Sequence, residues 1–346
     1  MKKPHLAAAA LVAALTFMTE AAAQVVEGPT VQWKLGSWGK RRAVTEGLEQ
    51  LAKHVKDSTG GKFTITIGYG TYGGEKELLD LLSKGALEAT MICSSYHPDK
   101  HPAYTVLDLP FLPLPDFETQ WKVFEVMHKN PYIVQEMAKW NAQFYNANML
   151  PQYEFIGRSS PTPRKLADWK GLRVRAIGGI GDAMRNLGAV PTSVPASEVY
   201  TLMERGTVDA VSYPSTYAHQ SNRTYEIGKW YTANLAPGTQ ACPTLFNRDH
   251  WNKLPLQYKA LVEGFQPKIK DILAAAYKAA DDKNIPLFKK RLEFITYSDA
   301  ELAEFRRIGG QPVWDAWVKN ASERGIPGRE LLDLLLKTAT SAAKKS

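Results

Sequence analysis

The chain contains little cysteine: Cys93 and Cys242 are the only two among 346 residues. Neither directly follows the N-terminal apolar segment, so a lipid-anchored cysteine after that segment is excluded. An oxidising compartment would permit a disulfide between them. A disulfide needs Cα atoms roughly 4.4–6.8 Å apart, and a sequence does not determine that separation. Both a disulfide and two buried thiols therefore remain open.

Long apolar runs are also absent, with one exception at the N-terminus. Residues 6–17 form an apolar run that follows Lys2 and Lys3 and precedes small residues ending at Ala23. A transmembrane helix needs about 20 apolar residues, so this run is too short and is typical of a secretory signal peptide. We predict cleavage after Ala23 and a soluble mature protein in the periplasm.

No concentrated basic face is present, although the formal net charge is +8. Basic residues occur as short pairs and triplets on different segments, at positions 41–42, 289–291 and 306–307. Recognition of nucleic acid needs basic residues clustered on one face. We therefore predict no nucleic-acid partner.

Catalytic motifs of common exported hydrolases are missing as well. The chain has neither a G-x-S-x-G turn nor an H-E-x-x-H helix. His97 and His101 are four residues apart, but Pro98 interrupts a helix that would place both on one face. Residues 68–73 read G-x-G-x-x-G, yet the next strand ends without the acid that holds the ribose of a dinucleotide. We predict a protein that is not an enzyme, with no cofactor and no metal.

The sequence does contain a regular alternation of strand and helix patterns, which argues for an α/β fold. The chain is long enough for two domains. The capping box of Ser298 and Glu301 predicts the start of a helix. Strands are predicted at residues 31–37, 62–67, 88–94, 143–146, 171–177 and 208–212. Further helices are predicted at residues 41–57, 75–83, 121–140, 182–188, 197–206, 261–290 and 328–338.

Arg175 is the clearest candidate for a ligand contact. Residues 171–177 alternate as a strand, and Arg175 lies near its end, where a charge can face a crevice instead of being buried unpaired in the sheet. Gly178 then allows a close approach of backbone to a ligand, and the helix N-terminus beyond it favours an anion. The guanidinium matches a carboxylate through two parallel hydrogen bonds. The same spacing also fits a solvated arginine at a strand end.

Several segments in a fixed order carry a resemblance to a known family. They are GGEKELLDLLSKGALEAT, LDLPFL, DWKGLRVRAIGG, LGAVPTSVPASEVYTLMERGTVDAV and LFNRDHWNKLP, at residues 73–90, 107–112, 168–179, 187–211 and 245–255. With the signal peptide before them, these segments resemble the solute-binding proteins of tripartite ATP-independent periplasmic (TRAP) transporters, the DctP-like family. The resemblance covers nearly all of the mature chain.

This resemblance implies a two-lobed α/β periplasmic binding protein of the Venus-flytrap type. The ligand is buried between the lobes, and a long helix spans both. We assign residues 24–154 and 242–285 to the first lobe. We assign residues 155–241 and 286–346 to the second.

The resemblance also implies ligand contacts. The arginine of the family's K-G-L-x-x-R motif, which binds the carboxylate of the ligand, is Arg175 here. A second basic residue of the family matches Arg158, at a shorter spacing, and Tyr213 matches a polar contact. The remaining predicted contacts are Trp38, Ser94, Ser95, Tyr96 and Gly178.

The aromatic side chains among these contacts indicate the kind of ligand. A sugar acid would need several buried polar partners, each costing about 1–3 kcal/mol if left unpaired, whereas aromatic walls suit a flat or apolar body. We predict a monocarboxylate with an aromatic or short apolar body, delivered to TRAP integral membrane subunits. A binding protein of an ATP-driven uptake system remains the nearest alternative, and an exported enzyme a more distant one.

Overall fold

The structure is a computed structural model that describes residues 25–158 and 162–344. The predicted signal peptide and its cleavage site after Ala23 lie outside the described residues. Within those residues, no helix is both long and apolar enough to cross a membrane.

The first sheet is formed mainly by the N-terminal half of the chain. Its strands are β1 (Val31–Ser37), β2 (Phe63–Tyr69), β3 (Ala89–Met91), β4 (Ala142–Asn146) and β10 (Thr244–Asn247). Their spatial order is β2-β1-β3-β10-β4, with β1 parallel to β2 and β3 and with β10 antiparallel to β3 and β4. The first four strands are predicted by the sequence, and the bounds of β1 are the predicted ones. Strand β10 is not predicted.

The second sheet is formed by the segment between β4 and β10 together with one later strand. Its strands are β5 (Tyr153–Gly157), β6 (Arg173–Arg175), β7 (Val190–Thr192), β8 (Ala210–Pro214), β9 (Trp230–Thr232) and β11 (Glu293–Ile295). Their order is β11-β9-β5-β8-β6-β7, in which β5 runs antiparallel to its neighbours β8 and β9. The chain therefore crosses between the sheets after β4, after β9 and after β10. The predicted two-lobed α/β fold is confirmed.

Helices cover both sheets. In chain order they are α1 (Glu46–Ser58), α2 (Leu78–Ser83), α3 (Phe117–Met127), α4 (Pro131–Ala138), α5 (Gly178–Asn186), α6 (Val199–Glu204), α7 (Tyr217–Ser221), α8 (Thr224–Ile227), α9 (Arg248–Lys253), α10 (Leu256–Phe265), α11 (Ile269–Lys289), α12 (Asp299–Gly309), α13 (Gln311–Glu323) and α14 (Gly328–Ala343). The predicted capping box is present, because the Ser298 hydroxyl accepts a bond from the Glu301 amide and the Glu301 carboxylate accepts one from the Ser298 amide.

Two helices that the sequence predicts as continuous are interrupted at prolines. The predicted helix over residues 121–140 is two helices, α3 and α4, because Pro131 begins a new helix, in which the Tyr132 amide donates to the Asn130 side chain. The predicted helix over residues 261–290 is likewise divided into α10 and α11 by a 3₁₀ turn, Gln266–Lys268, that contains Pro267. Proline lacks the amide hydrogen that a continuous helix needs.

Helix α11 is the predicted long helix that spans both lobes. At its N-terminal end Ile269 packs against Gly47 of α1, on the side of the first sheet. At its C-terminal end Phe288 packs against Tyr231 of β9, in the second sheet. Helix α14 packs along α3 on the first sheet's side of the molecule, although the sequence assigns residues 286–346 to the second lobe. The lobe boundaries remain a prediction.

Candidate ligand-binding site

A cavity of about 310 Å³ lies where the carboxyl ends of strands from both sheets meet. From the first sheet, Trp38 follows β1, and Cys93 and Tyr96 follow β3. From the second sheet, Arg175 ends β6 and Tyr213 lies near the end of β8. Ligands of open α/β sheets bind in crevices outside the carboxyl ends of the strands. The fold therefore places this cavity at the expected location for a ligand.

Arg175 is the most deeply buried basic side chain of the cavity, with 1% exposure. Its Nε and Nη2 donate to the Val194 carbonyl at 3.2 and 3.0 Å, and its Nη1 donates to the Ser212 carbonyl at 3.1 Å. Nη2 also donates to the Tyr96 hydroxyl at 3.2 Å. These acceptors are all neutral, and among the described residues no carboxylate lies within ion-pair distance of Arg175. Within the described part of the chain, the guanidinium therefore has no negatively charged group in direct contact.

The guanidinium remains charged in spite of its burial. Desolvation lowers the pKa of Arg175, but the surrounding tyrosines raise it, and the result is a pKa above the ordinary value. Arginine does not lose its proton in proteins, and an unpaired buried charge is destabilising. A ligand carboxylate would provide the missing negative charge.

Aromatic side chains form most of the remaining wall. Trp38 lies edge-on to Tyr96, with ring centroids 6.0 Å apart. The Tyr213 ring centroid lies 5.0 Å from the Arg175 guanidinium carbon. The Tyr213 hydroxyl donates to the Ala196 carbonyl at 2.8 Å, so the ring rather than the hydroxyl of Tyr213 is available to a ligand. Of the described residues that line the cavity, none is His, Asp or Glu. The wall therefore offers flat apolar surfaces and cationic donors.

Four of the predicted contacts, Arg175, Tyr213, Trp38 and Tyr96, lie together around this cavity, and their contact with a ligand stays a prediction. Residues that the sequence patterns do not indicate also line it, namely Arg42, Tyr153, Tyr200 and Tyr217. Arg42 and Tyr217 lie in or beside helices that follow strands, and Tyr153 begins the unpredicted strand β5. Only the position after a strand could have indicated Arg42 and Tyr217.

Three other predicted contacts lie elsewhere. The Ser94 hydroxyl donates to the Asp108 carboxyl group and approaches the Ala241 carbonyl at 3.0 Å. Ser95 and Gly178 line a second cavity, of about 660 Å³, beside α5 and α13. Ser94 is turned away because the 3₁₀ turn Ser94–Tyr96 directs only Tyr96 to the first cavity.

Arg158 lies outside the cavity, contrary to the expectation from the resemblance. It follows β5, whose other end begins with the cavity residue Tyr153. Because β5 is antiparallel to β8, Gly157 pairs with Ala210 at the amino end of β8. Arg158 is therefore at the opposite edge of the sheet from Tyr153.

The helix after Arg175 also differs from its prediction. Helix α5 begins at Gly178 rather than at residue 182, and Gly178, Gly179 and Asp182 face the second cavity. The first turn of α5 therefore lines the second cavity, while Ile177, directly before the helix, lines the cavity that contains Arg175.

Cys93 and Cys242 form a disulfide in the cavity wall. This resolves the alternative that the sequence leaves open. Backbone bonds on both sides hold the same two segments together: the Ile92 amide donates to the Pro243 carbonyl at 3.1 Å, and the Ser94 amide to the Ala241 carbonyl at 2.9 Å. No group of acidic, His or Cys side chains that could hold a metal ion occurs among the described residues.

This two-lobed fold around a cavity is that of a ligand-binding protein, and comparison with known proteins defines its family. Residues 36–320 match the family model of DctP, the bacterial extracellular solute-binding proteins of family 7. The chain therefore belongs to this family of solute-binding proteins.

Individual relatives differ in the acids that they bind. The monocarboxylate 2-oxoacid-binding periplasmic protein of a Nostoc species is 24% identical over 85% of this chain and 80% of its own length. A TRAP solute-binding protein from a marine metagenome, specific for aromatic acids and solved with 3-hydroxybenzoate, has a TM-score of 0.81 at 18% identity, covering 91% of this chain and 99% of that one. A TRAP protein of Roseobacter denitrificans with β-D-glucuronate has a TM-score of 0.73 at 18% identity, covering 88% and 99%.

Proposed function

We propose that this protein captures a small organic acid between its two lobes in the periplasm and delivers it to TRAP integral membrane subunits. The observation that carries the proposal is the buried Arg175 guanidinium, which lines a cavity between two lobes and has no carboxylate partner among the described residues. The family supports a solute-binding role, and the N-terminal signal pattern supports export.

The body of the ligand is proposed to be aromatic or short and apolar, on a monocarboxylate. Proteins with this fold include one that binds aromatic acids and one that binds a uronate, so the fold does not select between them. The wall of Trp38, Tyr96, Tyr153 and Tyr213 supports the first class, because flat rings contribute buried apolar area and stacking. The polar side chains of the cavity include Ser197, Ser221 and Asn222, which already donate to Glu75 and to the Ala218 carbonyl, so they are less available to the hydroxyls of a sugar acid.

Lobe closure is proposed to depend on the carboxylate. Arg175 belongs to the second sheet and Tyr96 follows a strand of the first, and the two are already in hydrogen-bond contact at 3.2 Å. A carboxylate on the Arg175 fork would also lie within reach of the Tyr96 hydroxyl. Contacts that exist only in the closed form shift the equilibrium toward it. The ligand is proposed to be released unchanged, which agrees with the lack of His, Asp and Glu among the described residues that line the cavity.

Mass spectrometry of protein purified from the periplasm without refolding tests this function. We expect a small carboxylic acid to leave with the protein, and thermal-shift screening to show stabilisation by aromatic acids or 2-oxo acids. Stabilisation by sugar acids alone would contradict the proposed ligand body. Chemical conversion of the bound acid, or stabilisation by none of the carboxylic acids, would contradict the proposed function as a whole.

A further inference from the structure

A second cation lines the same cavity from the side of the first sheet. Arg42 is half-buried and lies beyond the turn that follows β1. Its Nη1 donates to the carbonyls of Trp38 and Lys40, both at 2.7 Å, and its guanidinium carbon lies 5.2 Å from the Trp38 ring centroid. The turn passes through Gly39 with φ +71°, a conformation that favours glycine. The Arg42 side chain is therefore fixed against Trp38.

Arg42 has no acidic partner within residues 25–158 and 162–344. The neighbouring carboxylates are paired with Arg41 instead: Arg41 binds Glu46 at 2.9 Å and lies 4.0 Å from Glu49. Glu49 additionally accepts a hydrogen bond from Tyr69 at 2.6 Å. The Nε and Nη2 groups of Arg42 likewise have no acceptor among the described residues. Arg42 thus keeps one edge of its guanidinium free.

The cavity consequently carries two fixed cations, Arg175 from the second sheet and Arg42 from the segment after β1 of the first sheet, and Arg42 also lines a neighbouring surface groove. Of its other basic residues, Arg223 is neutralised by Glu226 through hydrogen bonds of 2.7 to 3.1 Å, and Lys40 is exposed to solvent. A single carboxylate bound to Arg175 leaves the free edge of Arg42 without an acceptor. Donors that lose water without gaining an acceptor weaken binding. A ligand with a second oxygen would avoid that loss.

We propose that Arg42 is a second anchor for the ligand, one that donates from its free edge to an oxygen on the ligand body. This inference rests on the proposed function and narrows its substrate class. The protein prefers monocarboxylates whose aromatic or short apolar body carries a hydroxyl or oxo oxygen over the same acids without that oxygen. Trp38, which Arg42 covers on one side, then packs against the body between the two anchors.

Calorimetric titration of matched acids tests the second anchor. The ligands are benzoate, 3-hydroxybenzoate and 4-hydroxybenzoate, and the proteins are the wild type, Arg42→Met and the control Arg41→Met. We expect the better hydroxybenzoate to bind the wild type and the control about tenfold or more tightly than benzoate. In Arg42→Met that preference falls below about threefold, because the hydroxyl oxygen of the ligand no longer has this donor.

A second variant separates recognition from folding. Arg42→Lys keeps a cation that can donate to the turn carbonyls but has no planar second edge, so it also loses the hydroxyl preference. The second anchor is contradicted if the wild type and Arg42→Met prefer a hydroxybenzoate over benzoate equally. It is also contradicted if the wild type shows no such preference. If benzoate binding still depends on Arg175, the proposed function survives that result. If none of the three acids binds, the proposal of an aromatic ligand body and the proposal of a second anchor are both contradicted.

Discussion

At the scale of single residues, the most unusual feature is a fully buried arginine surrounded by neutral partners. Its hydrogen bonds to Val194, Ser212 and Tyr96 satisfy several guanidinium donors but supply no negative charge. The sequence indicates Arg175 because it lies at the end of a predicted strand and matches the arginine of the K-G-L-x-x-R motif. For Arg42 the position after a strand is the only signal, because a basic residue before an amphipathic helix is normally solvated and only the folded turn shows its contact with Trp38.

Replacement of Arg175 by Met should abolish most of the binding energy for the carboxylate. Met keeps part of the apolar stem, while loss of one partner of a buried charge pair costs about 2–5 kcal/mol, or roughly thirtyfold to several-thousandfold in affinity. Arg173→Met is the matched control, because Arg173 lies on the same strand but is exposed and paired with Asp209. Arg158→Met should also bind normally. If calorimetry finds that Arg175→Met binds the acid as tightly as the wild type, Arg175 does not bind the ligand carboxylate.

Asp108 should give the folded protein a characteristic pH dependence. Its carboxyl group is buried and accepts bonds from Ser94 and from the Ala241 amide, and burial raises its pKa from 3.8 to about 7. Since the folded-state pKa is the higher one, its contribution to stability is complete below about pH 4 and is lost as the pH rises to about 7. Asp108→Asn stays neutral throughout. As the pH rises from 5 to 8, the free energy of unfolding of this variant should increase by about 2–3 kcal/mol relative to that of the wild type.

Chemical denaturation at several pH values measures this difference. Asp99→Asn, at an exposed position, serves as the control and should follow the wild-type profile. Parallel profiles for the wild type and Asp108→Asn would show that Asp108 is ionised throughout that range. A variant that is less stable at every pH but shows the expected change with pH would still support the neutral form.

At the scale of secondary-structure elements, local signals are sufficient for some elements and not for others. Strand β1 and the helix after Ser298 are predicted because periodicity and capping chemistry are local. Strand β5 is missed because it carries the buried Glu154, which the sequence suggests is exposed, and whose pKa burial raises to about 8. Strand β9 has only three residues, too few to show a period. Strand β10 depends on pairing with β3 and β4, which are distant in sequence.

The loop before α2 and the 3₁₀ turn Ala196–Glu198 form a direct contact between the lobes. Glu75 is buried and accepts from the amide and hydroxyl of Ser197, at 3.2 and 3.0 Å. Because this contact joins the two lobes, we expect Glu75→Ala to weaken ligand binding about tenfold, mainly through faster dissociation. Stopped-flow tryptophan fluorescence measures the rates. Glu77→Ala, which alters a bond within the same loop, is the control, and equal dissociation rates in both variants would show that the contact does not hold the lobes closed.

At the scale of the whole molecule, the chain crosses between its sheets in segments whose positions are fixed by contacts distant in sequence. The segment 233–243 returns from β9 to β10, and its end is held to the residues after β3 by backbone bonds as well as by the disulfide. The Ala241 amide also donates to Asp108 at 2.8 Å. The sequence predicts two lobes through the family resemblance, but it does not show which pairings close them.

Removal of the disulfide should therefore lower global stability more than ligand affinity. The cross-link joins positions 149 residues apart, and loss of such a bond typically costs about 2–5 kcal/mol, or roughly 3–10 °C in melting temperature for a chain of this size. Although Cys93 and Cys242 line the cavity, the flanking backbone bonds keep both segments in place, so affinity should change less than about threefold. The test compares melting and calorimetry of a Cys93→Ala, Cys242→Ala double variant with those of the wild type under oxidising and reducing conditions. An unchanged melting temperature would contradict the stabilising role, and a large loss of affinity in a stable variant would show that the disulfide itself shapes the ligand site.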